Sequence, residues 1–134
     1  MTTIDLAGRW LARTDQQDRG ITDGWASGEP AEGWLEADLP GPWQHVFPDD
    51  GATIVNSGVH GGVDRVWYRR RVPIDADLRR SLADGQRLWF VCEGAATDTT
   101  VFANGIEVGR WIGDWVPFQI DLTPALGKGE PAID

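Results

Sequence analysis

The stretch that decides the fold is VFANGIEVGRWIGDWVPFQIDLTPAL, residues 101–126. Its Asn104-Gly105 dipeptide is preferred in two-residue β-hairpin turns, because both residues accept positive φ angles. After a loop, residues 116–123 alternate between apolar and polar, which is the pattern of a half-buried antiparallel strand. The stretch therefore predicts a hairpin, a tryptophan-rich loop and a further strand.

The loop in this stretch contains Trp111, Asp114 and Trp115, which are candidate sugar-binding residues. Flat rings beside a carboxylate suit a sugar, whose ring has C–H faces and a rim of hydroxyl groups. Two interpretations stay open for the tryptophans, namely contact with a sugar or another domain, and simple anchoring of the loop. The carboxylate could also bond its own backbone in a turn.

Short strands separated by turn residues are predicted along most of the chain. Such spacing is typical of an all-β antiparallel sandwich or barrel. Single helical turns are expected at residues 77–82 and 124–126, the second with Thr123 as its N-cap. Residues 14–33 and 40–64 are predicted to be long loops. The predicted strands are residues 8–13, 34–39, 66–72, 87–93, 99–103, 106–110 and 116–122.

Length and charge limit the class of protein. A chain of 134 residues suits one domain, 1–134, and its net charge of −9 disfavours nucleic acid and anionic membranes as partners. The basic run at residues 69–71 falls within a predicted strand, so its side chains alternate between faces. No segment has the length of a membrane span or the pattern of a signal peptide, and we expect a cytoplasmic protein.

The apolar residues of the predicted strands are expected to form the core. Large aromatic side chains bury much area, so Trp10, Trp67 and Trp89 are placed there. Cys92 is the single cysteine, and we interpret it as a small buried apolar residue rather than a catalytic thiol.

The sequence gives little sign of metal or cofactor chemistry. The two histidines, His45 and His60, share a loop region with Asp49, Asp50 and Asp64, but the spacing matches no common metal site. Phosphate-binding and dinucleotide-binding glycine motifs are missing from the sequence. We therefore expect no metal site and no cofactor.

A catalytic pair of carboxyl groups is equally unsupported. Glycoside hydrolysis needs two carboxyl groups facing each other across the bond. Asp49 and Asp50 are adjacent and would point apart on an extended backbone, and Glu93 falls in a predicted core strand. We expect no catalytic residue in this chain.

Six motifs together resemble the N-terminal sugar-binding jelly-roll domain of family 2 glycoside hydrolases, the group of β-galactosidases, β-glucuronidases and β-mannosidases. They occur in that family's order and cover most of the chain. Two positions depart from the family pattern, with Trp111 where His is frequent and Asp114 where Gly is frequent. The motifs are LAGRW at 6–10, WLEADLPGPW at 34–43, VWYRR at 66–70, FANGIEVG at 102–109, PFQIDLT at 117–123 and GKGE at 127–130.

The resemblance implies a galactose-binding-like jelly-roll β-sandwich that packs against an immunoglobulin-like domain and a (β/α)₈ barrel. The barrel would hold both catalytic glutamates, so this chain would be a non-catalytic N-terminal piece of a longer enzyme. In some members, loops of the jelly roll help to shape the sugar site. That role would fall here on Gly113 and Asp114, which align with an acidic loop of β-galactosidases.

The resemblance also implies a strand after Glu130 that the chain does not complete. We therefore expect the sandwich to end before its last strand and to leave an edge open. The preferred interpretation is a carbohydrate-binding or scaffold domain that works with downstream domains. The alternatives are a free-standing lectin-like or protein-interaction module, as a homodimer that covers the edge, and, least favoured, a small glycosidase acting alone.

Overall fold

The computed structural model describes residues 2–41, 46, 65–95 and 97–134, and these form two compact units, Met1–Arg70 and Arg71–Asp134. Every strand pair in this part of the chain is antiparallel, as predicted. The elements are β1 Gly8–Thr14, β2 Leu35–Leu39, β3 Val66–Arg69, β4 Val72–Pro73, α1 Ala76–Ala83, β5 Trp89–Cys92, β6 Asp98–Ala103, β7 Ile106–Ile112, β8 Phe118–Asp121, a 3₁₀ turn Thr123–Ala125 and β9 Ala132–Ile133.

The first unit contains a three-stranded sheet in the order β2-β1-β3. Ala12 on the central strand lies opposite Tyr68 of β3 and is fully buried, and Ala37 of β2 is 3% exposed. Val46, Val66 and Tyr68 pack against these two alanines. Small residues on β1 and β2 let larger side chains close over them, so the core of this unit is compact.

The loop that follows β1 is organised by the buried carboxylate of Asp15. One carboxylate oxygen accepts the backbone N–H of Arg19 at 2.7 Å, and the other accepts the N–H of Gly20 at 2.8 Å and the indole N–H of Trp67 at 3.1 Å. Burial raises the pKa of this carboxyl group, but these hydrogen bonds and the charge of Arg65 outweigh it, and the net pKa is lowered. The loop is therefore tied to β3 by one side chain.

Trp25 fixes the far part of the same loop. Its ring makes edge contacts with Trp34 and Trp67, each with centroids 6.0 Å apart, and the guanidinium of Arg13 lies 3.9 Å from its centroid. Arg69, only 8% exposed, donates hydrogen bonds to the carbonyl oxygens of Trp25 and Gly28. A segment without secondary-structure periodicity is thus held by aromatic and cationic contacts.

The second unit contains the pairs β4–β9, β5–β8 and β6–β7. The hairpin predicted at Asn104-Gly105 is confirmed, with φ angles of +50° and +80° at the turn. A bulge lies between Val101 and Phe102 of β6. One buried cluster of this unit consists of Ile74, Ala103, Ala125 and Ile133, with Leu78, Leu88, Val108, Leu122 and Leu126 packed against it. Phe118 is buried in the core as well.

Several predicted elements have different limits in the structure. The strand predicted at 66–72 is two strands, because β3 pairs with β1 whereas β4 pairs with β9. The predicted helical turn at 77–82 is a full eight-residue helix, whose N-cap Asp75 accepts the N–H of Leu78 at 2.8 Å.

The placement of Thr123 as an N-cap is wrong. Its hydroxyl instead accepts the N–H of Leu88 at 2.8 Å, and the carboxylate of Asp121 takes the N–H of Thr123 at 2.9 Å. Asp121 also receives the guanidinium of Arg87 at 2.6 Å. The hydrogen bond from Thr123 and the charge of Arg87 lower the pKa of Asp121.

The placement of Trp89 in the core is also wrong, since 47% of its surface is exposed. On β5, Phe90 and Cys92 lie opposite Ile120 and Phe118, while Trp89 and Val91 occupy the other face. Strand alternation sets which residues share a face, but only packing decides which face is covered. Cys92 is half-buried rather than fully buried, and Trp10 and Trp67 are also half-buried.

The strand expected after Glu130 is present as two residues. β9 pairs Ala132 with Pro73 and Ile133 with Val72, and Ile133 is 8% exposed. The end of the described chain is thus part of the core of the second unit.

Candidate functional site

Two adjacent loops in the second unit hold the candidate site. The backbone N–H of Gly113, at the end of β7, donates to the carbonyl oxygen of Thr97 at 2.7 Å. A Cβ atom built on Gly94 would lie 3.4 Å from the Cα atom of Trp115. Gly94 and Thr97 therefore lie beside Trp115 and Gly113, near the end of the β5–β8 pair where Cys92 meets Phe118.

Trp111 is fixed by an aromatic stack. Its ring lies nearly parallel to that of Phe118, with centroids 5.7 Å apart and an interplanar angle of 13°. Phe118 is 5% exposed and also contacts Phe90, with centroids 6.3 Å apart. Since 38% of the surface of Trp111 stays exposed, its indole is both anchored in the core and accessible.

Gly113 gives the indole of Trp111 the room it needs. A Cβ atom on Gly113 would lie 3.1 Å from the indole nitrogen, which is closer than ordinary van der Waals contact. A larger residue here would have to displace the ring. Gly113 is therefore a positioning residue for Trp111.

Trp115 is the most unusual residue of the loop. Its φ angle is +57°, in the left-handed region that bulky side chains rarely adopt, and 82% of its surface is exposed. Ile112 and Val116 on either side of the loop are also exposed, at 65% and 47%. The loop thus presents an apolar surface to solvent.

Asp114 and Glu93 provide the charge of the two loops, and both are exposed. Asp114 makes no hydrogen bond or ion pair with the rest of the described chain, so the turn in which it bonds its own backbone is not formed there. Glu93 lies beyond the end of β5, and its assignment to a core strand is wrong. The Glu93-Gly94 pair, which ends the strand and allows the close approach to Trp115, is the signal that sequence reasoning missed.

Arg110, the basic residue of β7 that precedes the candidate loop, forms an ion pair. Arg110 meets Asp98 of β6 with two nitrogen atoms, one at 2.7 Å, and this contact raises the pKa of Arg110. The candidate loops and this ion pair therefore differ in whether their charged groups are free to contact a ligand. The carboxylates of the loops are open, whereas the guanidinium is occupied.

The residues that were weighed for a metal site lie outside the described part of the chain. This applies to His45, His60, Asp49, Asp50 and Asp64, so the expectation that they form no metal site stays a prediction. Within the described ranges, no group of three or more His, Cys, Asp or Glu side chains could hold a metal ion. No helix in those ranges has the length and hydrophobicity to cross a membrane.

Comparison with known proteins gives consistent matches. The chain is 24% identical to a β-glucuronidase of Paenibacillus borealis over 93% of its own length and 19% of the relative's. It is 28% identical to a β-galactosidase of Bacteroides ovatus over 84% of its own length and 13% of that protein's. The chain thus spans less than a fifth of the length of these curated relatives. No family model matches the sequence.

The structural comparison concerns the fold. A β-glucuronidase of Lactobacillus rhamnosus superposes with a TM-score of 0.69 at 24% identity, over 98% of this chain and 21% of that one. The all-β antiparallel sandwich predicted from the strand pattern is confirmed by this likeness. Together the matches confirm the resemblance predicted from the motifs: the chain is similar to the N-terminal jelly-roll domain of family 2 glycoside hydrolases.

Proposed function

We propose that the chain, 1–134, is a non-catalytic N-terminal domain of a longer glycoside hydrolase, in which it supports and partly lines a sugar site. Residues of other domains would carry out the hydrolysis. The observation that carries this proposal is the exposed indole of Trp115 next to the open carboxylate of Asp114. A flat ring and an acceptor side by side match the apolar face and the hydroxyl rim of a pyranose.

The left-handed backbone conformation of Trp115 supports a binding role. A bulky residue in the left-handed region costs about 1–3 kcal/mol, and such residues cluster at functional sites. Exposure of 82% leaves the indole without the burial that would offset this cost. A ligand or a neighbouring domain that covered the ring would provide that burial.

Two hydrogen-bonded carboxyl groups, those of Asp15 and Asp121, are unsuited to general-acid catalysis. A general acid for glycoside hydrolysis needs a raised pKa. Burial alone would raise the pKa of Asp15, but its hydrogen bonds bring it below the ordinary value, and hydrogen bonds also lower the pKa of Asp121. Each is also engaged by neighbouring donors, so neither is available to protonate a glycosidic oxygen.

The names of the relatives include both β-glucuronidase and β-galactosidase, so they leave the sugar open. Titration of tryptophan fluorescence with galactose, glucuronate and mannose tests binding directly. We expect a saturable change with at least one sugar, and its loss in Trp111→Ala and Trp115→Ala.

Trp89→Phe is the matched control. Trp89 is also exposed but lies at the opposite end of the β5–β8 pair, opposite Asp121. Its replacement should preserve the saturable change. Flat titrations with all three sugars would refute the sugar-lining role and leave only support of neighbouring domains.

A direct assay checks the non-catalytic part of the proposal. The purified chain should release no chromophore from nitrophenyl galactosides or glucuronides above the buffer rate. Turnover that survived further purification would mean that the chain is a small glycosidase.

The second candidate function is a protein-interaction module. It is favoured by the outer face of β5, where Val91 is 61% and Trp89 47% exposed. Light scattering over a range of concentrations would detect a homodimer. If one forms, Val91→Lys should abolish it, whereas a monomer at all concentrations would count against this candidate.

A further inference from the structure

The Asn104-Gly105 turn places a side-chain amide next to an unshielded backbone nitrogen. Gly105 has no side chain to cover its backbone N–H, and it follows Asn104 directly in the chain. Attack of that nitrogen on Cγ of Asn104 closes a five-membered ring, which is the intermediate of asparagine deamidation. The turn before β7 therefore contains both groups that this reaction needs.

The reaction consumes water and releases ammonia. The Gly105 nitrogen loses its proton and bonds to Cγ of Asn104, the Cγ–Nδ2 bond breaks, and ammonia leaves with that proton. Water then opens the cyclic imide on either side of its nitrogen. One opening yields aspartate at position 104, and the other yields isoaspartate, in which the main chain is one methylene longer.

The folded turn holds the two groups apart. Asn104 has a φ angle of +50°, and in the left-handed conformation the next backbone nitrogen is turned away from Cβ. The side chain is also bound to the segment of β9, where Oδ1 accepts the N–H of Asp134 at 2.8 Å and Nδ2 donates to the carbonyl oxygen of Ala132 at 3.4 Å. Ring closure therefore requires the turn to change conformation and the amide to leave β9.

We propose that Asn104 is a deamidation site that reacts only when β9 undocks, and that its product loosens β9. In the aspartate product an oxygen replaces the Nδ2 donor and faces the carbonyl oxygen of Ala132, so two acceptors oppose each other. Isoaspartate also lengthens the two-residue turn, which displaces the carboxylate from Asp134. Because Ile133 of β9 is 8% exposed in the core, the modification affects packing as well as charge. This site is independent of the proposed sugar-binding role.

Peptide mass mapping of the whole chain at mildly alkaline pH follows the replacement of NH₂ by OH at each asparagine. In urea, Asn104 should react faster than the other asparagine, Asn56, whose neighbour Ser57 has a side chain. Without urea, Asn104 should react about tenfold more slowly than in urea, because only the opened turn can close the ring. Equal rates with and without urea would overturn the protection by the fold, and an unreactive Asn104 in urea would overturn the site.

Ile133→Val tests the role of β9. It removes one buried methylene, and the weaker docking of β9 should raise the rate at Asn104 about twofold to tenfold without urea. Ile120→Val is the matched control, because it makes the same change on β8, where the side chain contacts Gly109 of β7. Equal acceleration in both variants would mean that only global unfolding exposes the amide, and no acceleration in Ile133→Val would likewise overturn the control by β9.

The effect of the product is measured on the deamidated chain, which anion exchange separates because it carries one more negative charge. Hydrogen exchange of the Asp134 amide should be about tenfold faster than in the unmodified chain. The Leu122 amide, which donates to the carbonyl oxygen of Leu88 at 2.8 Å, should keep its exchange rate. Unchanged exchange at Asp134 would overturn the loosening of β9.

Discussion

The indole of Trp111 stacks on the ring of Phe118 with centroids 5.7 Å apart, which joins the candidate binding surface to the core of the second unit. Phe118 is 5% exposed, whereas Trp111 is 38% exposed. Phe118 therefore contributes to the core, whereas Trp111 remains accessible to a ligand. Substitutions in the two should separate stability from binding.

Phe118→Ala should lower the free energy of unfolding by about 3–5 kcal/mol, because it removes a buried ring and leaves a cavity. Urea denaturation followed by circular dichroism measures this change. Trp115→Ala is the control: its side chain is 82% exposed, and we expect a change within about 0.5 kcal/mol. Similar losses of unfolding free energy in the two variants would contradict the placement of Phe118 in the core and Trp115 at the surface.

Gly113→Ala should displace the indole of Trp111, since the new Cβ would lie 3.1 Å from its nitrogen. We expect a shifted indole N–H signal in the NMR spectrum and weaker sugar binding. Gly85→Ala is the matched control, with φ of +85° and no atom within 4 Å of the added Cβ. It should lose stability through backbone strain but leave the Trp111 signal unchanged. A Trp111 signal that stays in place in Gly113→Ala would refute the positioning role.

Asp15→Asn should lower the free energy of unfolding by about 1–3 kcal/mol, since an amide cannot accept all three N–H groups that the buried carboxylate accepts. Chemical denaturation at neutral pH measures the loss. Asp18→Asn is the control, because Asp18 is 70% exposed in an ion pair with Arg65 and such pairs contribute about 0–1 kcal/mol. Equal losses would mean that the network around Asp15 does not organise the loop.

Asp15 should also make the unfolding free energy depend on pH in the acidic range. Its pKa in the folded chain lies below the ordinary value of 3.8, so the unfolded chain binds a proton first as the pH falls. The stabilisation is complete above pH 3.8 and disappears as the pH drops through the folded pKa. The stability difference between the wild type and Asp15→Asn should therefore shrink in this acid range. A stability difference that stays constant through that acid range would exclude the carboxylate as its source.

Local signals in the sequence predicted the hairpin correctly, and they predicted β8 as residues 116–122, longer than the observed Phe118–Asp121. The Asn104-Gly105 turn depends only on two residues that accept positive φ, and alternation over residues 116–123 needs no distant partner. The division of residues 66–72 into β3 and β4 could not be predicted in this way. It follows from pairing with β1 and β9, which lie far away in sequence.

The same limit applies to the candidate site, which local signals predicted only in part. Trp111, Gly113, Asp114 and Trp115 lie within five residues in sequence, so the group was evident from composition, although Trp111 lies on β7 rather than in the predicted loop. The contribution of Glu93 and Gly94 arises from a contact between segments about 20 residues apart, and it becomes visible only when β5 pairs with β8. The exposure of Trp89 was missed because alternation does not reveal which face of a strand is covered.

The side chain of Asn104 holds the end of the second unit in place. Its Oδ1 accepts the N–H of Asp134 at 2.8 Å, and its own N–H donates to the carbonyl of Asp134 at 2.9 Å. Asn104→Ala loses this side-chain bond and a longer one, 3.4 Å from Nδ2 to the carbonyl oxygen of Ala132, and it puts Ala at φ of +50°. We expect a loss of about 2 kcal/mol in unfolding free energy. Asn104→Gly loses the same two bonds but accepts the backbone angle, so it should cost about 1 kcal/mol.

Urea denaturation compares the two Asn104 variants, and hydrogen exchange of the Asp134 amide reports the lost bond directly. Exchange should accelerate in both variants, because both lack the acceptor. The difference in unfolding free energy between them then measures the strain at the turn. Slow exchange in both variants would show that the Asn104 side chain does not protect the Asp134 amide. Equal unfolding free energies would show that alanine adopts the left-handed turn without strain.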